Sequence, residues 1–388
     1  MDRSKWERKR FDEVFDLQMG KTPDRKNFDY FGGVNLWVSI RDLGEKYIGE
    51  SNEKITDKAI TDTGIKMVAK GTVVMSFKLT VGKCGIAAKD LYTNEAIMAF
   101  NQRPGFSIDS SFLYYYLQGY CWEGANKAVM GMTLNKATIS RQKMEFPPLA
   151  DQQTIVRELD KINELIGLKK SQLSDLDSLA QSIFYDMFGD PVENEKGWEV
   201  KKMEEICTNI VDCPHSTPRK SDSVTDYPCI RTSELKGGAI SWDTMQYLEK
   251  EEYEIRIARL KPEAGDIVFG REGTIGDAVI LPKGYNFSLG QRTMLLRANT
   301  EIISNIFLHR VILSEWIKQQ IGYVNVSSTV AHVNIKDFKQ FAVPLPPLPL
   351  QQSFAARVHA IEQQKQRISS SIKDLETLLA SRMQYWFD

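Results

Sequence analysis

The sequence lacks long apolar runs. Nowhere in its 388 residues is there anything near the roughly 18 consecutive apolar residues of a membrane-crossing helix. The start, Met1-Asp2-Arg3-Ser4-Lys5, has no signal-peptide core. A soluble, cytoplasmic chain with no membrane partner is expected. Cysteine is also scarce: Cys84, Cys121, Cys207, Cys213 and Cys229 make an odd number without a CxxC pair, and read as reduced thiols. Net charge is only −1, which argues against a non-specific polyanion binder. The distribution is uneven. Residues 1–150 carry 22 Lys and Arg against 18 Asp and Glu, whereas residues 151–190 carry 4 against 8. Any nucleic-acid contact must come from local clusters.

Motifs for catalysis are missing as well. Gly20-Lys21-Thr22 ends like a phosphate-binding loop, but Phe15 stands where its first glycine is required. Asp190-Pro191 followed by Glu199-Val200-Lys201 echoes a nuclease arrangement. Asp190, however, reads as a helix stop and Glu199 as half of a repeated Trp-Glu pair. Cys207, Cys213, His215 and Cys229 are irregularly spaced for zinc and have no counterpart elsewhere in the chain. The four histidines, His215, His309, His332 and His359, fall in no triad motif. Phe146-Pro147-Pro148-Leu149 lacks the leading amide or acid that an amino-methyltransferase uses on a flipped base. No catalytic residue, metal site or cofactor is expected in this chain.

What the chain does have is a duplication. Phe146–Phe188 opens on Pro-Pro-Leu, passes Gln152-Gln153 and continues without proline. A shift of 199 lays it on Leu345–Phe387, with Gln351-Gln352. Ile155, Leu159, Ile162, Ile166, Lys169, Leu173, Leu176, Ala180, Ile183 and Met187 recur at heptad spacing. So do Phe354, Val358, Ile361, Lys365, Ile368, Ile372, Leu375, Leu379, Arg382 and Trp386. Each segment predicts a helix of roughly 50 Å, and the two seams most simply pack on each other. Lys169, Lys365 and Arg382 interrupt them and are candidates for setting register.

The segments before each helix also match, always in the same order. Trp6-Glu7 pairs with Trp198-Glu199, Thr22-Pro23 with Thr217-Pro218, and Ile40-Arg41 with Ile230-Arg231. Gly71–Val74 pairs with Gly265–Val268, and Thr80-Val81-Gly82 with Thr274-Ile275-Gly276. Short β-branched and aromatic runs predict strands at Leu36–Ile40, Thr72–Phe77, Asp266–Phe269, Ala278–Leu281 and Thr293–Leu296. One short helix is expected after each set, at Ser110–Gln118 and Ile306–Gln319. The expected class is α+β: two strand-rich domains, 1–148 and 191–347, separated by two long antiparallel coiled-coil helices, 149–190 and 348–388. The repeat would follow a pseudo-twofold axis, with Met1 and Asp388 close together.

At this point the residues resemble a family, the specificity subunits of type I restriction–modification enzymes. The resemblance is carried by Gly20-Lys21-Thr22-Pro23 and Ser216-Thr217-Pro218, by Trp37–Leu43 and Ile230-Arg231, and by Gly265–Phe269 with Gly273-Thr274-Ile275-Gly276. The Pro-Pro-Leu…Gln-Gln entry to each helix completes it, and the whole chain is covered. The first copy departs at Leu79-Thr80-Val81-Gly82, where the second has Gly-Thr-Ile-Gly. The resemblance implies two target-recognition domains, each reading one half of a split, asymmetric site on double-stranded DNA. It also implies two methyltransferase (modification) subunits and two ATP-dependent restriction–translocase subunits as partners. S-adenosylmethionine, ATP and magnesium would belong to those partners. The alternative reading is a self-sufficient DNA-modifying enzyme, or a fragment of one, with an unrecognised active site.

Base edges and phosphates are contacted mainly by Arg, Lys, Asn and Gln. The DNA-contact candidates are Lys21, Arg25, Lys26, Arg41, Lys78, Lys83 and Arg103 in the first domain. In the second they are Arg219, Lys220, Arg231, Arg271, Gln291 and Arg292. Arg41 and Arg231 stand out as an equivalent pair at a strand end, against which stands an ion pair with Asp42 or Glu234. Gln152, Gln153, Gln351 and Gln352, with the exposed helix faces, are candidates for subunit docking.

Overall fold

The structure, a computed structural model, describes residues 3–122, 126–128, 131–325 and 332–387. It divides into two compact units, Met1–Lys170 with Ser370–Asp388, and Ser171–Ser369. The division cuts both long helices, which run Leu149–Phe188 and Leu348–Phe387. Each unit therefore contains one strand-rich domain and half of each helix.

In the first unit, strands Phe15–Met19, Ile97–Gln102, Val73–Ser76, Cys84–Ala87 and Tyr47–Ile48 lie side by side in that order. A smaller sheet of Glu53–Ile55, Phe31–Val38 and Tyr92–Thr93 stands beside it. The domain's first and last strands, Glu7–Arg10 and Lys143–Phe146, pair with each other, so the chain leaves for the helix where it entered. The second unit repeats the plan. Cys207–Asp212, Thr293–Ala298, Ile267–Gly270 and Ala278–Ile280 form the larger sheet. Gln246–Tyr247, Pro228–Ile230 and Ser288–Leu289 form the smaller, and Glu199–Lys202 closes on Ala342–Leu345.

Each of the five strand-forming runs contains a strand, though Leu36–Ile40 leaves its sheet at Val38, and the single helix expected over Ile306–Gln319 is two, Asn305–Ile312 and Glu315–Asn325. Ser314 makes the break: its amide and hydroxyl both donate to the Val311 carbonyl, ending one helix as the next begins.

Both long helices begin on Pro-Pro, where a missing N–H costs nothing because the first-turn donors have no helical partner. Pro148 O accepts from Asp151 and Gln152, and Pro347 O from Leu350 and Gln351. The first helix stops at Gly189, whose φ of 74° is left-handed and whose N–H reaches Tyr185 O at 2.8 Å. Within each unit the half-helices run antiparallel along the predicted seam. In the first, Glu158 meets Arg382 and Lys170 meets Glu376. In the second, Asp177 meets Lys365, and Phe184 and Phe188 meet Phe354. Every seam residue is buried or half-buried.

Met1 and Asp388, expected to be neighbours, lie outside the described residues. Their near neighbours do touch: the Arg3 guanidinium donates to Tyr385 O and lies over the Tyr385 ring.

Candidate nucleic-acid interface

Strand register divides each domain into two ends. At one end of the first large sheet, Ser76 opposes Ile97 and Met98 opposes Met19. The loop starting at Gly20 and the turn at Phe77–Lys83 leave from here. A Cβ on Gly20 would sit 2.1 Å from Thr93 O, so only glycine lets the loop cross there. The opposite end holds Gln102 and the joint to the helix. In the second domain, Asp212, Met294 and Gly270 mark the corresponding outer end.

The turns at the outer ends are superimposable in their bonding. Gly82 N donates to Ser76 O at 3.0 Å and Gly276 N to Gly270 O at 3.3 Å, with φ of 87° and 90°. Leu79 adopts φ 65° where the second copy has Gly273 at 76°. The divergent first copy thus keeps the left-handed backbone, although for leucine that conformation costs on the order of 1–2 kcal/mol.

Among the described residues, three candidate cations sit free at these outer ends and a fourth lies over a ring. Lys26, Arg41 and Lys220 are exposed and make no side-chain hydrogen bond or ion pair among the described residues. Lys78 is half-buried, with its ammonium over the Phe77 ring. Others are tethered. Lys21 donates to Thr63 O, and Lys83 to Ile40 O at 3.2 Å. Arg25 grips Glu53 with both nitrogens, at 2.5 and 2.9 Å, beneath Phe31 and Trp37. Arg219 pairs with Glu252 at 3.1 Å, Arg292 with Glu272 at 3.3 Å, and Gln291 bonds His215 O and Thr217.

Three expectations are corrected. Arg103 follows Gln102 at the helix-joint end, away from the outer loops, with its amide on Val14 O. Arg271 does enter the glycine-rich turn closed by Gly276, but its side chain is not open to a phosphate. It is buried, pairs with Asp212 and receives Val333 N on its carbonyl. Finally, Arg41 and Arg231 are not equivalent. Val38 is paired with Thr93, and Ile230 with Leu289, so the N-cap that follows is Ser39 in one domain and Arg231 in the other. Their φ/ψ values, −116/175° and −114/178°, coincide, and Asp42 and Glu234 close the same capping box. Arg41 therefore matches Ser233; the shared Ile-Arg is offset by two residues. The Arg231 guanidinium lies on Glu234, at 2.7 and 3.2 Å, and Glu234 is fully buried. Asp42 is held below its ordinary pKa: burial pushes it up, but bonds from Asn52 and Ser39 outweigh that.

The glutamine pairs split. Gln152 and Gln351 are buried at the helix joint. Gln152 Oε1 accepts from Asp109 N at 2.8 Å while Nε2 donates to Ser107 O and Pro147 O. Gln351 repeats this on Ser304 N, Ile302 O and Pro346 O. They fasten domain to helix and present nothing to a partner; Gln153 and Gln352 are exposed. Among the seam cations, Arg382 binds Glu158, which also accepts from Trp386, and Lys365 binds Asp177 at 2.7 Å. The Arg382 bond holds the Glu158 carboxyl below its ordinary pKa. Lys169 has no such partner among the described residues; Lys170 pairs with Glu376 instead.

Sequence reasoning missed Arg256, which is buried and fastens the 213–219 loop by donating to Ser216 O, Leu289 O and Glu252. It also missed Lys46, which with Tyr115 binds Asp160 on the long helix, both at 2.5 Å. Neither has a sequence signal beyond being one charge among many. Burial pushes up the thiols of Cys207, to about 12, and Cys229, to about 11. These are inert core groups.

Such a chain, two copies of one strand-rich domain each fastened to a long helix, defines a duplicated recognition subunit. Residues 3–177 and 195–376 each match the type I restriction modification DNA specificity domain, and the chain belongs to that family. It is 25% identical to the type I restriction enzyme MjaIX specificity subunit of Methanocaldococcus jannaschii, over 92% of this chain and 86% of the relative. With the EcoBI specificity subunit of Escherichia coli it shares 24% identity over 64% of this chain and 58% of the relative. A solved type I restriction–modification assembly contains a chain of the same fold. Its TM-score is 0.60 at 15% identity, covering 98% of this chain and 97% of that one. The S subunit from M. genitalium gives 0.54 at 14% identity, over 99% and 96%.

Proposed function

We propose that each domain reads one half of a split, non-palindromic site on double-stranded DNA through its outer-end loops, while methylation and cleavage are carried out by partner subunits. The observation that carries this is the contrast between conserved and divergent parts of the repeat. Joint, turn and helix entry are reproduced bond for bond, whereas the side chains on the outer loops differ. Two readers on one frame give two different half-sites.

The long helices serve as spacer and docking surface. Leu179 and Leu378 occupy equivalent positions off the seam, and both are 46% exposed. We assign these apolar positions to two methyltransferase subunits, which bring S-adenosylmethionine and modify adenine. Two ATP-dependent restriction–translocase subunits complete the assembly, in the cytoplasm. Co-expression with a type I methyltransferase subunit of the same host, followed by mapping of methylated adenines, tests the reading. A bipartite motif with unlike halves is expected, and no DNA binding by the complex refutes it. Changing Leu179 or Leu378 to Asp should each remove one methyltransferase by native mass measurement without unfolding the chain.

A further inference from the structure

Large apolar side chains exposed by more than three-quarters are rare in this molecule. Among the described residues they are Phe28 at 86%, Val34 at 83%, Val224 at 78% and Tyr323 at 76%. Phe28 and Val224 fall on the same connection in the two domains, the one joining the first strand of the larger sheet to the smaller sheet. Both connections leave from the outer end.

Neither residue dangles. Beside Phe28, the Asn27 side chain accepts from Asp29 N at 3.2 Å, Thr56 N donates to Tyr30 O at 3.1 Å, and Tyr30 hydroxyl reaches Asp62. Around Val224, Ser221 N donates to Tyr247 O at 2.7 Å and Thr225 hydroxyl to Leu248 O at 2.6 Å. Each loop is thus pinned on both sides of an apolar side chain held in water. Each also carries an exposed cation without an ion pair among the described residues, Lys26 in one and Lys220 in the other. An isolated apolar tip beside free cations complements a polyanion with an apolar interior.

We propose that Phe28 and Val224 are specificity-determining residues that contact bases, one in each half-site. This rests on the DNA-reading role proposed above. A pinned phenylalanine is suited to wedge against or between stacked bases, and a valine to meet a thymine methyl in the major groove. The two domains would then read through different chemistry from one loop position. Their charged neighbours supply affinity that is independent of sequence.

The test uses the complex of the full chain with its methyltransferase, on duplexes carrying every single-base change in both half-sites. Phe28→Ala should reduce discrimination about tenfold at one base pair of one half-site and leave the other half-site unchanged. Val224→Ala should do the converse. Both side chains are exposed, so the melting temperature serves as a check that folding is intact. Unchanged discrimination in both variants overturns the proposal, as does loss of complex assembly with base preference intact. Lys26→Ala and Lys220→Ala separate the two levels. If they lower affinity and flatten its salt dependence while the apolar variants do nothing, DNA reading stands and this inference fails. If none of the four changes DNA binding, the reading beneath it fails too.

Discussion

The guanidinium of Arg231 lies on a carboxylate that solvent does not reach, whereas that of Arg41 faces water. Arg231→Ala leaves the Glu234 charge buried and unpaired, and should cost about 2 kcal/mol, reduced from the fully buried case because Arg231 is partly exposed. Thermal unfolding will show it. Arg41→Ala should leave unfolding unchanged but weaken DNA binding by the complex, lowering the slope of log affinity against log salt by about one. His309 makes the pH dependence testable. It is buried, with Nε2 2.9 Å from Ala278 O, and burial lowers its pKa from 6.5 to about 4. The unfolded chain takes up a proton on this residue at a higher pH than the folded one. Its stabilisation is therefore complete above about pH 6.5 and lost as pH falls toward 4, amounting to about 3 kcal/mol. His309→Leu should flatten the pH dependence of unfolding in that window.

Among the elements, the joint between domain and helix is the most strictly duplicated. Each buried glutamine satisfies one backbone N–H and two carbonyls that have no other partner among the described residues. Replacing Gln152 or Gln351 with Ala should cost about 2–3 kcal/mol each. Because the joints belong to different compact units, the two losses should be additive in calorimetry. Gln153→Ala and Gln352→Ala, one residue on and exposed, should leave unfolding unchanged. The seam behaves differently from the joint. Its apolar residues are buried or half-buried throughout, but its ionic contacts, Arg382 with Glu158 and Lys365 with Asp177, are not copies of one another.

At the scale of the molecule, each helix is 40 residues, about 60 Å long, and belongs half to one unit and half to the other. If the helices space the readers, inserting one heptad into both, after Lys170 and after Ser369, adds about 10 Å to each. The unread gap should grow by about three base pairs at 3.4 Å per step, with the bases of both half-sites unchanged. Methylome mapping reads both quantities; new half-site bases with the old gap would show that the helices do not act as the ruler.

Much of this plan was legible in the residues. The shift of 199, the heptad seams, the Pro-Pro entries and the helix stop near Asp190 depend on local backbone chemistry and periodicity, which one chain displays directly. What each charged side chain does was not legible, because an ion pair depends on residues far away in sequence. Arg271 finds Asp212 and Lys46 finds Asp160 only after the sheets form. The Ile-Arg match at Arg41 and Arg231 looked like equivalence until strand register moved it by two residues. Which apolar side chains stay in water is equally a tertiary fact: Phe28 and Phe31 are three residues apart, one exposed and the other packed beside Trp37. The sequence by itself determined that there are two domains and two helices, through repetition and period. Only the folded chain decided which side chains are spent holding it together and which are left to meet a partner.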